Sequence, residues 1–320
     1  MTANIILIGA DQVRRALGPC QAVEAIGAAL RAGLDPAADP ARMIVPTAHG
    51  QLLLMPAAGG DHAGVKVATV APGNPTRGLP RIQGCYLLFD AATLSPVALL
   101  DGGALTTLRT SAVSIAAVLP FLRDGAHPRS VAVFGTGPQA TAHVAALAAH
   151  CDLGEVTYLA RRPQHVQPPH HGPVPVTVTA TAGAEARRVL RRADVVVCAT
   201  TAREPLFDST LLGDRAVVLA IGSHEPDARE VDGPLLTRAH VIVEDVATAT
   251  REAGDIILAV HEGHTGTTDL IPIRRIVTDP ASVRFDRPVL FKSTGMAWED
   301  LVIATAVHRE IGWAGGRSGC

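Results

Sequence analysis

The residues Gly135-Thr136-Gly137-Pro138-Gln139-Ala140 form a GxGxxA sequence directly after the run Ser130–Phe134. The chemistry such a turn supports is phosphate binding. The first Gly allows the tight turn, the second lets backbone approach a pyrophosphate, and the small third residue lets helix pack on strand. Amides at the helix start then face the anion. The same six residues also describe a tight turn with no ligand. The next apolar run, Glu155–Ala160, ends at Arg161-Arg162. An acid there would meet a ribose hydroxyl, whereas guanidinium suits a 2′-phosphate. The pair therefore favours NADP(H) over NAD(H), which stays possible, and solvated surface arginines are the alternative. Lys66, within Val65-Lys66-Val67-Ala68, puts a cation in an apolar strand. Left unpaired there it would be costly, which points to a purpose. His224, in Gly222-Ser223-His224-Glu225-Pro226-Asp227, carries an imidazole, a side-chain type suited to proton transfer, unless it merely shapes a loop. Asp227 reads as a cap or turn residue, and Glu230 and Asp245 stay open. His165, His170 and His171 have no Cys or acid at ligand spacing, so a solvated loop and no metal site are expected.

These residues need a scaffold, and the chain changes texture twice. Residues 4–8 read as a strand, Asp11 as a helix cap, and Val23, Ile26 and Leu30 as a helix face. From Gln51 to Leu100, short apolar runs separated by Gly, Pro, Asn and Asp predict an antiparallel meander. The breaker-rich stretch 72–80 reads as a loop, and a helix follows over 105–122. Beyond Pro128, apolar strands at 130–134, 155–160, 195–199, 217–221 and 241–246 alternate with helical patterns, including 183–192. That alternation predicts α/β architecture, a Rossmann doubly wound parallel sheet, beside an α+β domain. The expected division is 1–123 with 291–320 against 124–290, the last helix (298–311) returning to the first domain. The segment 165–175 reads as a surface loop.

Composition narrows the function classes. The 320 residues are 48% hydrophobic and 18% charged, which marks a globular chain. A net charge of −2 offers no field for nucleic acid or anionic membrane, so a small molecule is the expected partner. Five widely spaced cysteines without CxxC (Cys20, Cys85, Cys151, Cys198 and Cys320) argue against a disulfide framework. The run Ile5–Ile8 is too short for export or spanning, and a cytoplasmic location is expected.

Further motifs occur in order along nearly the whole chain. They are Gly64-Val-Lys66-Val, Gly78-Leu-Pro-Arg-Ile-Gln-Gly84, Leu108-Arg109-Thr110-Ser-Ala, GTGPQA, and Phe291-Lys-Ser-Thr-Gly-Met-Ala-Trp-Glu-Asp300. Together they resemble the ornithine cyclodeaminase/mu-crystallin family. The resemblance implies a substrate and dimerisation domain, a Rossmann domain and a homodimer. It places a substrate carboxylate among Arg42, Lys66 and Arg109, with Thr294 against nicotinamide or substrate. Planar guanidinium and mobile ammonium are suited to that task.

Two departures from the cyclodeaminase pattern select among the activities the family implies. Leu53 stands where cyclodeaminases carry an acid before Leu54-Met55-Pro56, and His224 stands where they carry an Asp. The expectation is therefore an NADPH-dependent reductase of cyclic imino acids, Δ1-pyrroline-2-carboxylate or Δ1-piperideine-2-carboxylate. Lys66 or His224 would handle the proton. Ornithine cyclodeaminase and a non-catalytic mu-crystallin-like binding protein are the alternatives.

Overall fold

A computed structural model describes the backbone of residues 5–123 and 129–317, with side chains as far as residue 312. Cys320 and the expected boundary at 123/124 touch residues outside this description. The chain divides into two compact units, one running to Thr110 and resuming at Gly295, the other Ser111–Thr294.

The first unit is a six-stranded sheet. Its strands are β1 (Ile6–Ile8), β2 (Met43–Thr47), β3 (Gly50–Gly59), β4 (His62–Val70), β5 (Ile82–Asp90) and β6 (Pro96–Asp101). The spatial order is β1-β6-β5-β4-β3-β2, antiparallel except for the parallel β1–β6 pair. Helices α1 (Ala10–Ala16) and α2 (Pro19–Arg31) precede it, α3 (Gly102–Leu122) leaves it, and the C-terminal helix (Ala297–Arg317) packs on α2, β3, β4 and β5. Period-two alternation sorts the side chains of the strands into two faces. Met55, Lys66, Tyr86, Leu100 and Ile8 align in one buried row across five strands. Asp11 is not the cap expected of it. Gly9 is the N-cap of α1, its N–H bonded to Gln12 Oε1 at 2.9 Å, and Asp11 pairs with Arg14 in the first turn. The short polar cap lost to a backbone whose extended Gly9 already positions the turn.

By length and apolarity α3 qualifies as a membrane span. Its side chains Val113, Ile115, Ala117 and Val118 are nevertheless fully buried within the protein, as in a core helix.

The second unit is an eight-stranded, wholly parallel sheet. Its strands are β7 (Arg129–Phe134), β8 (Leu153–Ala160), β9 (Val176–Ala180), β10 (Val195–Cys198), β11 (Val217–Ala220), β12 (His240–Val243), β13 (Ile271–Pro272) and β14 (Val289–Lys292). The order β9-β8-β7-β10-β11-β14-β12-β13 reverses direction between β7 and β10, which is the topological switch of a doubly wound sheet. Helices α4 (Pro138–Ala148), α5 (Ala184–Arg192), α6 (Gly233–Arg238), α7 (Val246–Glu252), α8 (Gly254–His261) and α9 (Ile273–Thr278) connect the strands. The central strands β10, β11 and β14 are buried at every residue, hence their apolar runs, broken in β14 by its last residue, Lys292. β14 pairs with β11 and β12, so the expected change of domain at 290/291 falls inside a strand, and the second unit continues to Thr294. β9 has no counterpart in the sequence reading, because Val-Thr alternation on a half-exposed edge follows a Pro-rich segment.

Candidate active site

The GxGxxA residues occupy the switch point. Gly135 has φ +100°, and a Cβ there would lie 2.3 Å from the Ala199 carbonyl, so only glycine lets β7 turn beside the end of β10. Gly137 is the N-cap of α4, with open space where its Cβ would project. Ala140 is fully buried and lets α4 approach the sheet. This cradle fits a dinucleotide. Thr136, Gly137, Gln139 and Ala140 would offer amides to its phosphates, since the first turn of a helix has no i−4 carbonyls to use them. Pro138 has no N–H to give, and instead presets the first helical residue. Arg161 and Arg162 are exposed directly after β8, and neither guanidinium is paired among the described residues.

The first unit brings together Arg42, Lys66 and Arg109. Lys66 is buried, and its Nζ lies 2.7 Å from Asp300 Oδ2 and 3.4 Å from Thr106 Oγ1. Arg109, also buried, places Nη1 2.5 Å from Glu299 Oε2 and Nε 3.5 Å from Asp300 Oδ1. Arg42 Nη2 donates to the Gly295 carbonyl at 2.7 Å. Gly295 is again required, at φ +78° with a virtual Cβ 2.4 Å from Arg109 Nη1. Burial and the neighbouring Arg109 push the Lys66 ammonium down to about 8, against the opposing pull of Asp300. Two buried cations thus face two buried carboxylates, and Arg42 adds a third positive charge. Leu53 points to the same side of the sheet as Lys66, in a small apolar cluster with Ala68 and Val70.

The second unit places His224 and Thr294. His224 is half-buried in the loop after β11. Thr294 follows β14, and its N–H donates to Glu244 Oε2 at 2.9 Å, while Ser293 Oγ donates to Glu244 Oε1 at 2.6 Å. Glu230 is buried and accepts from Gly222 N at 2.7 Å and Thr200 N at 2.8 Å. Asp245 caps α7 through Thr248 N at 2.7 Å. Asp227 lies in a surface turn and pairs with Arg203. Of the histidines in 165–171, His165 and His170 are exposed, and His171 Nε2 shares a 2.7 Å hydrogen bond with Tyr158 OH.

Sequence reasoning missed Glu299, Asp300, Glu244 and Lys292 as members of these clusters. The first two lie in a helix's opening turn, where acids are ordinarily explained by the helix dipole. Full burial is what distinguishes them, and burial is not written locally.

Known proteins resemble this chain over most of its length. The Δ1-pyrroline-2-carboxylate/Δ1-piperideine-2-carboxylate reductase of Azospirillum brasilense is 34% identical over 269 residues, covering 82% of this chain and 81% of its own. Among solved structures, an archaeal alanine dehydrogenase dimer with bound NAD superposes with a TM-score of 0.81 at 25% identity, covering 96% and 95% of the two chains. A probable ornithine cyclodeaminase from Bordetella pertussis Tohama I gives 0.82 at 29% identity, covering 98% and 99%. One architecture therefore carries several named activities, and side chains must discriminate. The family profile matches residues 9–313, and the chain belongs to the ornithine cyclodeaminase/mu-crystallin family.

Proposed function

We propose that this protein reduces cyclic imino acids, Δ1-pyrroline-2-carboxylate or Δ1-piperideine-2-carboxylate, to L-proline or L-pipecolate, with NADPH as the preferred cofactor. The observation that carries the reading is buried Lys66, paired with Asp300 beside Arg109, on a sheet face where Leu53 supplies no acid. The bound nicotinamide supplies hydride. Arg42 and Arg109 grip the substrate carboxylate, a task that planar guanidinium groups suit. Lys66, held at about 8, is protonated at neutral pH and still acidic enough to give its proton to a ring nitrogen. His224 is the second candidate for that proton. A cyclodeaminase must instead deprotonate an ammonium group. The apolar surroundings of Leu53 give no base for that step. The curated relative named as a reductase supports the same substrate class. Exposed Arg161 and Arg162 support the 2′-phosphate preference.

The partner we propose is a second copy of the chain. The sheet face opposite Lys66 carries a row Pro56, Val65, Leu87, Leu99 and Leu7, beside a second row Met43, Leu54, Val67 and Cys85. Leu7 is 69% and Met43 58% exposed, which is a large apolar surface for a monomer to leave in water. We also place the protein in the cytoplasm, a reading supported by the free thiols of Cys85, Cys151 and Cys198.

The test is NADPH oxidation with each cyclic imine, run beside ammonia release from L-ornithine. Imine-dependent oxidation without ammonia is expected, and ammonia from ornithine with neither imine reduced overturns the reading. Sedimentation of Val65→Asp, expected as a monomer against a wild-type dimer, tests the assembly.

A further inference from the structure

The parallel sheet holds a second buried ion pair that the chemistry above does not use. Lys292, at the end of β14, and Asp255, in α8, are both fully buried, with Lys292 Nζ 2.9 Å from Asp255 Oδ2. The same ammonium donates to the Ser223 carbonyl at 2.6 Å, the peptide that leads directly into His224. Asp255 Oδ1 accepts from Glu230 N at 2.7 Å and Val231 N at 3.0 Å, at the far end of that loop. Within the loop, Ser223 Oγ donates to the Ala228 carbonyl at 2.6 Å. Glu230 closes the inner side by binding Gly222 N and Thr200 N. On the outer side Arg203 bridges Glu225, at 2.6 Å, and Asp227. The two residues after Lys292 are held separately, by Glu244.

A buried ion pair is a poor way to gain stability, since desolvating both charges offsets most of their attraction. Its geometry here is directed at one place. The single ammonium joins the end of β14, which leads to Thr294, to the loop that carries His224.

We propose that Lys292, anchored by Asp255, is a positioning residue that fixes the Gly222–Ala228 loop and thereby the imidazole of His224 for proton handling in the reductase reaction. This rests on the reductase reading for its kinetic consequence, but not for its structural one. A displaced imidazole lowers turnover more than binding, whether it gives the proton itself or orients the imine that Lys66 protonates, because alignment is needed only as the reaction proceeds.

The test uses the full-length protein. Lys292→Met removes the donor but strands the Asp255 charge, so Lys292→Met/Asp255→Asn is made beside it, keeping an Oδ1 acceptor for the Glu230 and Val231 amides. Hydrogen exchange should show the 222–228 amides opening roughly tenfold faster in the double variant, with β11 and β14 still protected. In the imine assay kcat should fall roughly ten- to hundredfold with KM little changed. The same two substitutions should cost nothing further in a His224→Ala background. Unchanged loop exchange, or a kcat loss that persists fully in the His224→Ala background, overturns the proposal. If the wild type reduces neither imine, the reductase reading fails, and the exchange measurement still judges Lys292.

Discussion

Replacing Asp300 by Asn tests what holds the proton on Lys66. At the observed 2.7 Å, a full ion pair is worth about 6 kcal/mol at an effective dielectric of 20. Only part of that is lost, because Glu299 remains nearby and the Asn amide oxygen still accepts. Even ~1.4 kcal/mol moves a pKa by one unit. The direction follows from the charges. Asp300 raises the Lys66 pKa, whereas burial and Arg109 lower it, so the variant's ammonium falls below about 8. Lys66 must be protonated to donate, and activity is therefore lost as pH rises through its pKa. The assay is kcat/KM for imine reduction from pH 6 to 10, which reports free-enzyme groups. The wild-type alkaline limb is expected near 8, and the variant's at least one unit lower, a loss of about fivefold at pH 8. Circular dichroism and cofactor affinity, both expected unchanged, control for folding. An alkaline limb that stays in place in a folded variant refutes the assignment of the proton to the Lys66–Asp300 pair.

Gly135→Ala sets a Cβ 2.3 Å from the Ala199 carbonyl at a φ of +100°, so cofactor affinity should fall at least tenfold and stability by about 1–3 kcal/mol, read by fluorescence titration and urea melts. Arg161→Ala with Arg162→Ala should weaken NADPH roughly ten- to hundredfold and leave NADH unchanged, as loss of a charge-assisted phosphate contact requires, and equal losses for both cofactors would contradict it. His143 is buried, its Nδ1 2.8 Å from the Gln139 carbonyl and its Nε2 3.0 Å from Ser114 Oγ, so it stays neutral, with burial pushing it down to about 4. The unfolded chain binds that proton first, so stability falls from pH 6.5 toward 4 by ~1.4 kcal/mol per unit, and His143→Gln should flatten this slope in urea midpoints.

The cofactor half was legible in the residues themselves. GTGPQA follows an apolar strand and opens a helix, and the structure shows the steric demand at Gly135 and the close packing at Ala140, while Gly137 leaves open space at the N-cap. Continuous apolar runs identified the strands buried on both faces, because period and hydrophobicity are properties of neighbouring residues. Lys66 was conspicuous for the same reason, as a cation within an apolar strand. Its partner was not. Asp300 lies more than 200 positions away in a helix start, and only the packing of the C-terminal helix on β3, β4 and β5 sets the two charges 2.7 Å apart. Lys292 was likewise one letter in a motif until the insertion of β14 between β11 and β12 carried it to Asp255 and the Ser223 carbonyl. Sequence therefore determined which residues are costly to bury, because that cost is local. Tertiary structure decided which charge compensates which, because compensation depends on a distance between segments that no local pattern encodes.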